Sequence, residues 1–261
     1  MSRKVNKRKR PDKDIHLLKD RRIDEAALDV DTMRRLSKFY NKGVISKLGF
    51  IVARGKESDV YIASAGTSEI VTGNENIILK FFRIGSSSFL NMQDYIIGDP
   101  RFKRRYSGKF AIIRVWCKKE FGNLQIAYDN GINVPKPYMF DYNILAMELI
   151  GSGDQIAKKL KDVLLDYESA NKILNQIIVD IKKLYNAKLV HADLSEYNIL
   201  LKDKTPYIID MGQAVSTRHP NARAFLKRDV INVLNYFHKE YNINFDAESI
   251  YEDIIHQRDK K

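Results

Sequence analysis

The apolar residues of this chain gather into strand-like runs ahead of Leu149 and turn to helical spacing after Gly151, and that switch restricts the folds open to it. Before Leu149 they fall in short strand-like runs: Phe50-Ile-Val-Ala53, Val60-Tyr-Ile-Ala63, Ile77-Ile-Leu-Lys-Phe-Phe82, Tyr138 to Tyr142 and Ile144 to Leu149. The first two flank the polar Arg54-Gly-Lys-Glu-Ser-Asp59, as in a hairpin, and the last two turn near Asp141-Tyr142-Asn143. After Gly151 the spacing becomes helical. Ile173, Leu174, Ile177, Ile178, Ile181 and Leu184 share one face, Val230, Val233, Leu234 and Phe237 another, and Ile250, Ile254 and Ile255 a last. A further helical stretch surrounds Trp116 to Tyr128, and Asp31 is placed to cap a helix from Thr32 that Gly43 ends. Strands first and helices second predict an α+β protein of two lobes. Its expected parts are a basic arm over 1–14, a helical extension over 15–47, a sheet lobe over 48–147, a hinge over 148–153 and a helical lobe over 154–261.

Charge narrows the partners. The 261 residues carry a formal net charge of +12, and six Lys or Arg residues fall within the first ten positions. Such a balance favours encounters with polyanions, RNA among them. The single cysteine, Cys117, excludes an intrachain disulfide and a cysteine-based metal site, which suits a reducing cytoplasm. The longest apolar runs are short, and the one at Phe110 to Cys117 is broken by Arg114, so no membrane span is expected.

Two segments carry chemistry. In Leu189-Val-His-Ala-Asp-Leu-Ser-Glu-Tyr-Asn-Ile-Leu-Leu201, Asp193 precedes Asn198 by five residues, directly after a long apolar-faced helix. One tight loop can then set a carboxylate at the proton of an incoming nucleophile and an amide oxygen, a turn away, at a metal. In Pro206-Tyr-Ile-Ile-Asp-Met-Gly212 a short apolar strand delivers Asp210 to its end, and Gly212 permits a sharp exit. Lys80 adds a third signal, because a lysine inside an apolar strand is costly to bury unless its charge is paired. Glu120, in the helical stretch, is the candidate partner.

These segments resemble the catalytic and metal-binding loops of protein kinases. With Gly55-Lys-Glu-Ser-Asp-Val-Tyr61 and Ile208-Ile-Asp-Met-Gly-Gln-Ala-Val215, the chain resembles the RIO family of atypical serine protein kinases, its first, archaeal-type subfamily in particular, over about residues 48–240. The resemblance implies a two-lobed protein-kinase-like fold, mainly antiparallel sheet in the N-terminal lobe and mainly helical in the C-terminal lobe, and truncated relative to ordinary kinases. It makes Asp193 the catalytic aspartate, Asn198 and Asp210 the metal ligands, and Lys80 the lysine on the ATP phosphates with Glu120 behind it. Gly55, Lys56 and Ser58 would cover the phosphates, and backbone groups of Glu148 and Ile150 would meet adenine. ATP and Mg²⁺ are the implied cofactors, with Mn²⁺ left open. A small ribosomal subunit precursor, rRNA and protein together, is the implied partner, and Asp210 a residue that can be transiently phosphorylated.

Departures from ordinary kinases matter too. Ala192 stands where an arginine usually receives a phosphorylated activation loop, and Ser195 where many serine/threonine kinases have lysine. No Ala-Pro-Glu occurs between Arg218 and Arg228, and the segment after Gly212 is expected to be too short for the usual peptide-docking helices. The segment Arg83 to Lys109, which reads as a polar surface loop, holds Ser86, Ser87, Ser88 and Ser107 among Arg101, Lys103, Arg104 and Arg105, and one of these serines is a candidate for autophosphorylation. A serine kinase, an ATPase switch on pre-ribosomal particles, a small-molecule phosphotransferase and a nucleotide-binding module remain as readings. The sequence leaves the oligomeric state open.

Overall fold

The computed structural model describes residues 30–73, 75–84, 89–102 and 106–256. The basic arm, Ser86, Ser87, Ser88 and the basic residues 103–105 lie outside them. The first element among the described residues is helix α1 (Val30–Asn41). It starts two residues earlier than the Asp31 cap predicts, which leaves Asp31 in the first turn, bonded to Arg34 at 3.2 Å. Five strands follow: β1 (Ile45–Arg54), β2 (Ser58–Ala65), β3 (Asn76–Phe82), β4 (Pro137–Asp141) and β5 (Ile144–Glu148). They form one antiparallel sheet in the order β1-β2-β3-β5-β4. The edges match their sequences: β1 slips register three times against β2, and β4 opens on Pro137, which has no N–H to give a neighbour.

Central β3 shows how the two-residue period of a strand decides where chemistry goes. Ile77, Leu79 and Phe81 face one way, into a cluster with Leu36 and Phe39 of α1. Ile78, Lys80 and Phe82 face the other way, towards the cleft and the long helix α3 (Lys109–Asp129). Before α3 lies a short helix, α2 (Phe89–Ile96), within the stretch that reads from sequence as polar loop. Its Met92 and Ile96 are buried in the same core as Ile112, Ile113 and Trp116 of α3.

Small hairpin strands β6 (Gly151–Ser152) and β7 (Gln155–Ile156) then lead to β8 (Lys158–Lys159). Helix α4 (Tyr167–Asn186) begins where Asp166 accepts from the Ser169 N–H at 2.7 Å, a side-chain N-cap. It buries the predicted Ile173 to Leu184 face. Strand β9 (Leu189–Val190), the hairpin β10 (Ile199–Lys202) and β11 (Thr205–Ile208), and β12 (Val215–Ser216) come next. Helices α5 (Ala222–Tyr241) and α6 (Ala247–His256) complete an α+β fold with its sheet first and most of its helices second. None of the helices among the described residues is long and apolar enough to cross a membrane.

Helix α1 is locked to the sheet through a close backbone approach. The Gly66 N–H donates to Val44 O at 3.1 Å, and a Cβ at Gly66 would lie 2.0 Å from Gly43 O. Gly122, in the interior of α3, has open space around the same position. Gly66→Ala is therefore expected to lower the unfolding free energy by about 1–3 kcal/mol. Gly122→Ala should raise it by about 0.5–1 kcal/mol through the helix-propensity gain. Urea denaturation of both variants checks this, and equal effects would show that the α1 contact is not tight.

Candidate active site

Lys80 sits mid-strand in β3, opposite Val60 of β2 and Leu145 of β5, and is 7% exposed. Its ammonium donates to both oxygens of Glu120, at 2.8 and 2.9 Å, and to Oδ1 of Asp210 at 2.9 Å. Burial pulls the Lys80 pKa down, but the Asp210 and Glu120 carboxylates outweigh it and hold the group charged well above the usual lysine range. Glu120, on α3, is itself buried, which pushes it up to about 7 against the pull of Lys80. With both its oxygens accepting from one ammonium, the pair is bound as carboxylate and cation. Sheet, helix and the Asp210 loop meet at one nitrogen.

The Asp193 loop is shaped by backbone reversals. After α4, Lys188 takes φ 66° and turns the chain into β9, which pairs with β12 and so sets the Asp193 loop beside the segment after Asp210. Ala192 takes φ 66° and Asp210 φ 62°, both left-handed and unfavourable for side-chain-bearing residues. The surroundings hold them. Asp229 of α5 accepts from the Ala192 N–H at 2.7 Å and the Leu194 N–H at 2.9 Å, bracketing Asp193, while Arg228 donates to the Ala192 carbonyl. Burial pushes Asp229 up to about 7 in spite of those two donors. Buried His191 bonds the Ile209 carbonyl through Nε2 at 3.1 Å and accepts the Asp193 N–H at Nδ1, 3.3 Å, so the proton sits on Nε2. Burial also lowers its pKa.

Asp193 and Asp210 are tuned apart. Burial, then the charge of Asp210, raises the Asp193 pKa, whereas Lys80 lowers that of Asp210. Asn198 donates to the Asp193 carbonyl at 2.8 Å, which commits its nitrogen and leaves its amide oxygen as an acceptor. Gln213 donates to Asp193 Oδ2 at 3.1 Å. On the far side of the loop Lys119, buried on α3, donates to the carbonyls of Gly212 and Ala214 at 2.7 and 2.6 Å. Burial pulls its pKa down to about 7. Asn123, one turn on, donates to Met211 O and Ala214 O at 2.7 and 2.8 Å.

A cleft of about 300 Å³ opens between the sheet and the helical half. Of the residues singled out from sequence, Gly55, Ser58, Lys80, Glu120, Glu148 and Ile150 line it, as do Asn198 and Asp210. Asp193 joins them through Asn198 and Gln213. Lys56 is exposed on the β1–β2 turn and does not line the cleft. The Glu148 N–H is taken by Lys136 O and the Ile150 carbonyl by the Ala157 N–H, whereas the Ile150 N–H has no partner among the described residues. Sequence reasoning missed Asp229, Gln213, Lys119, Asn123 and Lys159, a further residue of the cleft wall. Only Asp229 left a signal, as an acid on the same helix face as Leu226, Val230 and Val233.

Comparison with known proteins gives this constellation a lineage. A family model of the RIO domain matches residues 59–250. A relative in Haloferax volcanii, named RIO-type serine/threonine-protein kinase Rio1, is 36% identical over 232 residues, 88% of this chain and 77% of its own. Its namesake in Methanocaldococcus jannaschii is 39% identical over 88% of this chain and 76% of its own. That of Thermoplasma acidophilum is 39% identical over 70% and 96%. Among solved structures, the Rio2 kinase ADP/Mg²⁺-phosphoaspartate complex of Chaetomium thermophilum aligns with a TM-score of 0.67 at 23% identity, over 88% of this chain and 66% of that one. A second Rio2 kinase structure from the same organism aligns at 0.62 and 26%, over 84% and 65%. The fold is thus that of a protein-kinase-like enzyme, and the chain belongs to the RIO family.

Proposed function

We propose that this chain is a Mg-ATP-dependent serine protein kinase, and the observation that carries the proposal is the single ammonium of Lys80 shared by Glu120 and Asp210 at the back of the cleft. ATP is the donor. The Ile150 N–H, without a partner among the described residues, and the Glu148 backbone beside it form an edge for adenine, with 148–153 as the hinge between a sheet lobe and a helical lobe. Lys80, fixed by Glu120, meets the phosphates, and the turn at Gly55 and Ser58 covers them, with Lys56 at its outer rim. Asp210 and Asn198 present a carboxylate oxygen and an amide oxygen, the hard donors that Mg²⁺ prefers alongside phosphate and water, and Mn²⁺ accepts the same set. Held there, the metal would supply neutralisation of the phosphate charge. Asp193 orients the acceptor hydroxyl and takes up its proton. A carboxylate raised above its usual range is the better base for that task.

A second reading, an ATPase switch, is favoured by the half-exposed Asp210 carboxylate, since the Rio2 neighbour carries a phosphoaspartate with ADP and Mg²⁺. In that reading Asp210 accepts the phosphoryl group and water later removes it. The net charge of +12 supports a small ribosomal subunit precursor as the particle on which the switch acts, in the cytoplasm. Autophosphorylation belongs to the kinase reading, with Ser86, Ser87, Ser88 and Ser107 as candidates.

Asp193→Asn is expected to cut phosphotransfer by about 10²–10⁴-fold while ATP affinity stays unchanged; near-normal turnover in that variant removes the base role. Incubating the chain with labelled ATP, alone and with small-subunit particles, separates the two readings. Label on a serine of 83–109, found by mass spectrometry, supports the kinase, and particle-stimulated release of phosphate without stable serine label supports the switch. Asp229 predicts a pH effect. Its folded pKa of about 7 lies above the unfolded value of about 4. The folded state therefore binds the extra proton, and this contribution to stability is full below pH 4 and lost as pH rises through 7. Asp229→Asn should flatten that part of the stability–pH curve and slow turnover. An unchanged slope in denaturation from pH 4 to 7 would exclude Asp229 as its source.

A further inference from the structure

A second cavity, of about 680 Å³, lies between α2, the start of α5 and the segment after Asp210. It shares Gln213 with the active site, so the side chain that donates to Asp193 also forms part of this wall. Its other link to the chemistry is Trp116, whose ring packs against Gly212, with Nε1 3.0 Å from where a Cβ there would stand. We propose that this cavity receives the cationic side chain of a protein acceptor, an arginine or lysine flanking the serine presented to Asp193. The inference rests on the phosphotransfer reading and adds a substrate class to it.

Charge is the first ground. In a chain with 45 Lys and Arg residues against 33 Asp and Glu, the described residues that line the cavity include Asp94 and Glu57, the latter already partnered, and no lysine or arginine. The Asp94 carboxylate is exposed and has no partner among the described residues. His219 has both ring nitrogens engaged within the fold, Nε2 with the Ile97 carbonyl at 3.0 Å and Nδ1 with the Asn221 N–H at 3.1 Å.

The second ground is the floor. Tyr95 stands 6.3 Å from Trp116, edge-on, and 5.5 Å from Phe225. Lys119 and Arg228 already lie against Trp116 and Phe225, at 5.2 and 5.1 Å, which leaves Tyr95 as the ring for an incoming cation. The Asp94 carboxylate and an aromatic floor suit a long side chain with an apolar stem and a charged head. A basic enzyme gains selectivity from such a pocket, because acidic segments bind elsewhere on its surface and leave the serine out of reach.

Trp116 is the only tryptophan, so its fluorescence reports occupancy directly. The full chain is titrated with two serine peptides of equal length that differ only in arginine or glutamate beside the serine. The arginine peptide should bind about tenfold more tightly and shift the Trp116 emission. Asp94→Lys should abolish or reverse that preference and leave nucleotide affinity and acceptor-free ATP turnover unchanged. Equal binding of the two peptides, no binding of either, or an intact preference in Asp94→Lys overturns the assignment. The readout needs no catalysis. An arginine preference in a chain that never transfers phosphate would sink the kinase reading and leave the pocket standing.

Discussion

Everything in this molecule is arranged around one buried charge. Lys80 is placed by strand period on the cleft face of the most enclosed strand, where an unpaired ammonium would cost several kcal/mol. Glu120 and Asp210 offset that cost, and they come from a helix and a loop far apart in sequence. The pairing does more than neutralise. It requires α3 to lie against the sheet at one rotation, and it draws the Asp210 loop up from the helical half. The remaining contacts of α3 follow from that rotation. Lys119 and Asn123, next to Glu120 and one turn on, meet the backbone carbonyls of Met211, Gly212 and Ala214 and hold the loop from the other side.

Backbone strain is the second cost, and it is met locally. Ala192 and Asp210 each occupy left-handed backbone space, at about 1–3 kcal/mol per residue. Neither is a glycine, so the surroundings must dictate the conformation. For Ala192 the dictate comes from Asp229 and Arg228, adjacent residues of α5 that grip its N–H and its carbonyl. For Asp210 it comes from Lys80 in front, and from His191 behind through the Ile209 carbonyl. The two strained residues lie on either side of His191, which ties both loops with one neutral ring. A single buried imidazole can do this only as the Nε2–H tautomer, and its lowered pKa keeps it there.

What could be read from sequence divides along the same physics. The sheet, the Asp193–Asn198 loop and the Asp210 strand end were legible because each is written locally, in a period or a fixed offset. Lys80 was legible because a charge in an apolar strand breaks the local pattern. Glu120 was a weaker reading: α3 is buried on several sides, so no single apolar stripe marks which acid faces inward, and the same holds for Lys119 and Asn123. Asp229 could have been found, as an acid on the inward face of α5. Gln213 could not, since its role depends on the β9–β12 pairing that brings residues 193 and 213 together. Helix α2 escaped because eight residues give only Met92 and Ile96 to mark a period, and Asp31 misled because an acid suits the first turn as well as the cap.

The opposite pKa shifts of the two aspartates then need no special device. Both are carboxylates on short loops of the same cleft, and each raises the other's pKa or would do so if unopposed. Of the two, Lys80 bonds Asp210 alone, which therefore stays ionised. Asp193 accepts from the neutral donors Gln213 and Asn198, and burial and the nearby charge of Asp210 raise its pKa against the pull of Arg228. Moving the one ammonium from Asp210 to Asp193 would exchange the two shifts with no change in either carboxylate. The strand register that sets Lys80 against Leu145 and Val60 is, in that sense, what sets the two carboxylates apart.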